Sequence, residues 1–130
     1  IDDEVVVVGN ATLFEIAILN ILLNAREAFV GSATNEPPSV GIRVHADAGT
    51  VTIVISDNAG GIPADILPRV FESFVSSKAA DTGTGLGLSI ARRAIEGMRG
   101  RIYAENGPSG ANFTINLPIL VQKDLSCIAQ

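Results

Sequence analysis

One cysteine, one histidine, one tyrosine and no tryptophan occur in the 130 residues. The lone cysteine, Cys127, excludes an internal disulfide and fits a reducing compartment. The lone histidine, His45, has no cysteine or histidine beside it. No zinc-ligand spacing and no Ser/His/Asp set can therefore be assembled. His45 alternates with strand residues and reads as structural or exposed. No basic cluster is present and the formal net charge is −5, which argues against nucleic acid as a partner. No apolar run reaches transmembrane length, and the first residues do not read as a signal peptide. The expectation is a cytoplasmic domain without direct membrane contact. Internal repeats and low-complexity tracts are absent. Hydrophobic residues make up 47% and charged residues 18% of the chain, a balance that suits one globular domain with a real core.

What the chain does have is glycine in a telling place. Gly83-Thr84-Gly85-Leu86-Gly87-Leu88 follows a small, polar stretch and leads into the apolar-periodic run Leu88, Ile90, Ala91, Ala94, Ile95. The pattern predicts a loop running into the first turn of a helix. Helix starts carry unpaired N–H groups and the positive end of the dipole. Glycines there let a polyphosphate approach the backbone. The motif is neither a dinucleotide-fold fingerprint, since no clean strand runs into it, nor a P-loop, since it lacks Gly-Lys-Ser/Thr.

Along the chain, Val5 to Val8 read as a short strand. Asn10 or Thr12 offers a helix cap, and Leu13 to about Val30 is helical. Pro37-Pro38 breaks that pattern. Val40, Ile42, Val44 and Ala46 have strand period, Asp47-Ala48-Gly49 is a turn, and Val51 to Ser56 completes a hairpin. Asp57 to Pro63 is a glycine-rich loop. Pro63 to about Phe74 suggests a short helix with Pro63 at its first position. Val75 to Gly85 is a lid candidate, and Leu86 to Gly97 is the last helix. Arg101–Glu105 and Ala111–Leu117 are strands joined around Gly107-Pro108-Ser109-Gly110, and residues from Leu120 onward form a tail. The fold class expected is an α/β two-layer sandwich. Its sheet is mixed, mostly antiparallel, and covered on one face by about three helices.

The first helix is strongly apolar, yet Asn20 and Asn24 sit inside it, about 40° apart on one face. A buried amide left unpaired costs about 1–3 kcal/mol. The pair therefore needs partners, either nearby backbone or a ligand or hydrated cation. Glu27 continues the same face, toward a cation's water shell or into solvent. Asp57 ends a strand beside Gly60 and Gly61. It reads either as an Asx-type turn or as an acceptor for an exocyclic amine such as adenine's. Phe71 and Phe74 share a helical face, which by default means core packing. Lys78 is a solvated lysine or a point charge for a phosphate. Arg92 and Arg93 read as surface residues.

Taken in order, Asn20-Ile-Leu-Leu-Asn24-Ala25, Asp57-Asn-Ala-Gly-Gly61-Ile62, Phe71-Glu-Ser-Phe74-Val-Ser-Ser-Lys78 and Gly83-Thr-Gly85-Leu-Gly87-Leu88 resemble the N, G1, F and G2 boxes of the ATP-binding catalytic domain of two-component histidine kinases. The closing Gly110-Ala-Asn-Phe113-Thr-Ile-Asn-Leu117-Pro118 is similar to that family's last strand. The resemblance covers about residues 4–118 and implies a Bergerat-type fold, with a catalytic domain over 1–118 and a tail over 119–130. It implies ATP and Mg²⁺ as ligands. Asn24 would coordinate the metal, with Asn20 supporting it near the phosphates. Asp57 would take the adenine amine, and Gly61 and Ile62 would give the base room. Phe71 and Phe74 would anchor the lid, and Lys78 would reach the γ-phosphate. Thr84, Gly85, Leu86, Gly87 and Leu88 would cradle the phosphates.

The chain departs from the pattern in places. Ala59 stands where glycine is usual, which suits the site if its φ is negative. Ser73 replaces a common proline, and Ser77 a common threonine. Glu27 sits where a basic residue is frequent, and Arg99 where a glycine is. No helix carries a histidine followed by an acidic residue. The resemblance therefore implies an excised catalytic domain, monomeric by itself. Its partners would be the dimerisation and phosphoacceptor helices of its parent and a downstream response regulator. The alternatives are an ATP-hydrolysing switch of the gyrase type and a non-catalytic nucleotide-sensing or docking module; an anti-sigma-type serine/threonine kinase is a minor one. The first of these needs a glutamate base four residues before Asn24, where this chain has Asn20.

Overall fold

The computed structural model describes residues 10–32, 35–73 and 87–118. Helix α1 spans Ala11–Val30 and is capped by Asn10, whose side chain accepts from the Leu13 N–H at 3.1 Å. Of the two caps the sequence allows, Asn10 is the one used. Strands β1 (Val40–Asp47) and β2 (Thr50–Asp57) form a hairpin. Its two-residue turn, Ala48-Gly49, has φ of 48° and 84°, the left-handed pair that matches the twist of a tight hairpin. Helix α2 spans Gly87–Gly97, and β3 (Arg101–Asn106) and β4 (Ala111–Pro118) form a second hairpin.

The sheet order is β1-β2-β4-β3, and every pairing among the described strands is antiparallel. β4 thus inserts between β2 and β3, so the end of β2 lies beside the start of β4. Alternation places Val51, Ile53 and Ile55 on the same buried face as Ala111, Phe113, Ile115 and Leu117. Ala17 and Ile21 of α1 and Leu88, Ala91, Ala94 and Ile95 of α2 close that core from above. The helices pack on each other, and alanines on both keep the layer thin. All eight residues of β1 are exposed, and among the described strands it is an edge of the sheet. No helix among the described residues is long and apolar enough to cross a membrane.

The third helix expected over Pro63–Phe74 is not formed. A single 3-10 turn, Leu67–Arg69, takes its place, flanked by turns bonded Ile66 N–H to Pro63 O and Glu72 N–H to Arg69 O, both at 2.9 Å. Pro68 is the reason: it has no N–H to give and its ring clashes with the carbonyl four residues back, so the segment closes only as a short 3-10 turn. The expected strand at Val5–Val8, the lid at Val75–Gly85 and the tail lie outside the described residues.

Helix α2 ends in a Schellman motif, with Gly100 N–H donating to Ile95 O at 2.9 Å and Arg99 N–H to Glu96 O at 3.0 Å. Gly100 is required there, since a Cβ would come within 2.6 Å of the Asn116 carbonyl. Arg99 carries the left-handed φ of 63°, which costs a side chain about 1–2 kcal/mol. Glycine loses more chain entropy on folding, so the Arg99→Gly variant gains a net of about 0.5–1 kcal/mol. A thermal melt should show a midpoint raised by a few degrees, and an unchanged or lower midpoint would contradict this account of the cap.

Candidate functional site

Asn20 and Asn24 sit half-buried on α1, one turn apart. The Asn20 amide nitrogen donates to the Ile16 carbonyl at 2.8 Å, which is the local backbone partner weighed from sequence. Its oxygen is turned elsewhere, toward the first residue of α2. A Cβ on Gly87 would lie 3.2 Å from Asn20 Oδ1. Two sequence motifs 67 positions apart are thus brought face to face, an amide oxygen against the start of a helix. Gly87 keeps that approach open. Leu88, next along, is buried in the core and fixes α2 in place. Glu27 continues the Asn20–Asn24 face, half-buried.

Asp57 is the buried end of β2, with 9% exposure. Its Oδ1 accepts two backbone hydrogen bonds, from Ala59 N–H at 3.0 Å and from Ala111 N–H at 3.2 Å. The first is the Asx-type turn expected of this residue. The second comes from the start of β4, because the β2–β4 register pairs Ser56 with Asn112 and brings Asp57 level with that strand's first residue. Among the described residues Oδ2 has no hydrogen-bond partner, and no described side-chain polar atom is both fully buried and unpaired. One oxygen therefore holds the carboxylate still, and the other remains to accept from outside.

The loop that follows turns on glycine. Gly60 and Gly61 have φ of 99° and 91°, while Ala59 is not among the left-handed residues. The condition for tolerating Ala59 in place of glycine is therefore met. Gly60 N–H donates to Ser109 O at 3.0 Å. Asn58 links the loop to the segment entering β1, donating to Pro37 O at 3.0 Å and accepting from Ser39 N–H at 2.9 Å. Ile62 is half-buried, packs against the core and is bonded through both backbone groups to Asn106. Phe71 packs edge-on against Phe113 with ring centroids 6.3 Å apart, the core role expected by default. Phe74, Lys78, Thr84, Gly85 and Leu86 lie outside the described residues.

The structure thus gathers two groups, Asn20 with Gly87 and Asp57 with Gly61 and Ile62, on one continuous core. Three contributors were not assigned a role from sequence: Asn58, Asn106 and Gly110. A Cβ at Gly110 would overlap both the backbone carbonyl and Oδ1 of Asp57. Sequence marked Gly110 as a turn glycine opening the last strand and gave it no role toward Asp57, since that partner is 53 positions away. Among the described residues no cluster of three or more His, Cys, Asp or Glu side chains could hold a metal. Arg92 forms an exposed pair with Glu96 at 3.1 Å and stays on the surface.

Comparison with known proteins gives the geometry a context. The family model described as histidine kinase-, DNA gyrase B-, and HSP90-like ATPase matches residues 9–121. The two-component sensor PprA of Pseudomonas aeruginosa is 38% identical over 118 residues, covering 89% of this chain and 13% of that protein. The sensory histidine kinase/phosphatase NtrB of Rhodobacter capsulatus is 33% identical, covering 85% of this chain and 33% of that protein. The chain is therefore similar to a minor part of each relative's length. Among solved structures, a mycobacterial sensor histidine kinase, MprB, superposes with a TM-score of 0.72 at 31% identity, covering 87% of this chain and 74% of that one. A nucleotide-free catalytic domain of the histidine kinase ThkA gives 0.74 at 28% identity, covering 90% and 75%.

Proposed function

We propose a function from one premise: this chain belongs to the histidine kinase-, DNA gyrase B- and HSP90-like ATPase family, as an ATP-binding catalytic domain of the sensor histidine kinase type. Its role is to present Mg²⁺–ATP for γ-phosphoryl transfer to a histidine on a separate helical domain of a larger sensor protein. The observation that carries this reading is the pinned Asp57 carboxylate, with one oxygen bonded to two backbone N–H groups and the other left to accept.

The bound Mg²⁺–ATP supplies the transferable phosphoryl group and the neutralisation of its charge. The chain's own residues bind and orient. Asp57 accepts from an exocyclic amine, which selects adenine, and Gly60 and Gly61 let a flat base lie against backbone. Asn24 offers an amide oxygen, a hard donor of the kind Mg²⁺ takes once or twice from protein while keeping waters and phosphate oxygens. The lack of a carboxylate cluster among the described residues is compatible with such a site. Asn20 supports the phosphate end against Gly87. The first turn of α2 offers N–H groups to anionic oxygens, a role we extend to Thr84, Gly85 and Leu86. We assign Lys78 to the γ-phosphate, and Phe71 and Phe74 to the near end of a lid. Positioning and charge stabilisation account for the catalysis. Asn20 cannot take a proton, so the position from which a hydrolysing relative would activate water holds no base.

We assign the module to residues 1–118, with 119–130 as a tail; the family match runs over residues 9–121. Its partners are the phosphoacceptor helices of its parent and a response regulator, in the cytoplasm. The test is calorimetric titration with ATP, with and without Mg²⁺. The wild type should bind ATP more tightly with Mg²⁺ present. Asn24→Ala should lose that increment, since weakening even the support of a metal ligand costs about 10–100-fold in metal affinity. A variant that keeps the full Mg²⁺ dependence would remove Asn24 from the metal site.

A further inference from the structure

Asn106 is the last residue of β3, and alternation places it on the core side of the sheet, the side of Ile102 and Ala104. It is exposed, so its carboxamide is not packed into the core. It turns instead to a loop 44 positions away. Oδ1 accepts from the Ile62 N–H at 2.7 Å, and Nδ2 donates to the Ile62 carbonyl at 2.8 Å. Both backbone groups of one residue are thus taken by one planar side chain. This is the pairing that a neighbouring strand gives, supplied here by an amide. Gly61 lies against the same group: a Cβ there would meet Asn106 Oδ1 at 3.0 Å, and the residue holds a φ of 91°. The left-handed backbone calls for glycine, and a Cβ would also crowd the Asn106 amide.

We infer that Asn106 is a positioning residue for the nucleotide base, acting through the Gly61–Ile62 peptide that forms the wall of the base site. The inference rests on the nucleotide reading above and adds a residue to it. Asp57 is anchored independently, by Ala59 and Ala111. Asn106 fixes the far end of the same loop, while Ser109 takes the Gly60 N–H in the middle. The β3–β4 turn therefore grips the loop at its start, middle and end, and Asn106 is the only one of these grips made by a side chain of that turn. Removing it frees the peptide that a flat base must lie against, while leaving Asp57 in place. Because a hydrogen bond at an exposed site contributes little to global stability, the loss falls on preorganisation.

The test compares wild type with Asn106→Ala in three measurements: ATP affinity by calorimetry with Mg²⁺ present, hydrogen exchange at the Ile62 N–H by NMR without nucleotide, and the thermal midpoint. The expected result is ATP binding weakened about tenfold, as two lost loop hydrogen bonds allow, with faster exchange at Ile62 and a midpoint within a few degrees of wild type. Asn106→Asp keeps the acceptor and loses the donor, so it should fall between the two. Faster exchange with unchanged ATP affinity would overturn the inference, leaving Asn106 as a loop fastener. Weakened ATP binding with unchanged exchange at Ile62 would overturn it as well, since the effect would not pass through that peptide. A wild-type chain that binds no ATP would fail the underlying reading and this one with it. Wild-type binding with no loss in the alanine variant would fail this one alone.

Discussion

Gly110→Ala should lower the stability of the domain by about 3 kcal/mol, the upper end of ordinary overpacking, and its thermal midpoint by roughly 10 °C. A one-carbon change at a hairpin turn is seldom so damaging. Here the added Cβ overlaps the Asp57 carbonyl and the Asp57 Oδ1. Neither atom can swing aside. The carbonyl belongs to the last residue of β2, and Oδ1 is tied to Ala59 and Ala111 by hydrogen bonds. Gly110 is not among the residues with left-handed φ, so the effect is one of space and not of backbone conformation. Relief requires the start of β4 to withdraw from the end of β2. That movement breaks the Ala111 bond to Asp57 and releases the carboxylate, so nucleotide affinity should fall together with the midpoint. A melt superimposable on that of the wild type would show that the strand ends are looser than described.

Asp57→Ala should weaken ATP binding at least about 100-fold, from the loss of a charge-assisted hydrogen bond plus the backbone donors left without their acceptor. Both losses occur together in that variant, so Asp57→Asn is the informative companion. Asparagine retains an oxygen for the Ala59 and Ala111 N–H groups, which keeps the loop shaped, and turns an NH₂ toward the ligand's amine. Donor then faces donor. Asp57→Asn should therefore melt close to wild type yet bind ATP nearly as poorly as the alanine variant. Calorimetry on the pair separates the two roles of the carboxylate. If the asparagine variant binds ATP as well as the wild type does, Asp57 shapes the loop and does not read the base.

Much of this was legible in the chain before any coordinates. The strands were visible because period-two alternation and glycine-bearing turns are local signals, as at Val40–Asp47, Ala48-Gly49 and Thr50–Asp57. The start of α1 was legible to within two residues from the cap candidates Asn10 and Thr12, and the end of α2 at Gly97 from where its apolar spacing stops. The helix expected after Pro63 failed because Pro68 within that segment outweighs the apolar spacing around it. The departures at Ala59 and Arg99 needed dihedral angles to be weighed: Ala59 turns out unstrained and Arg99 strained. Asn106 and Gly110 were out of reach for a different reason. Each acts on a loop 44 or more positions away, through a strand order in which β4 slips between β2 and β3. Nothing in the local sequence of a turn states which distant carbonyl it will touch.

The most direct test of the central claim is an ATP titration with Mg²⁺ followed residue by residue in the amide NMR spectrum. The account predicts that the largest shifts among the described residues fall on Asn20, Asn24, Asp57 to Ile62, Gly87 and Leu88, with smaller ones at Asn106 and Ala111. Shifts confined to the outer strand β1 or to the solvent-facing side of α1 around Glu15 and Leu19, or no shifts at saturating nucleotide, would contradict it.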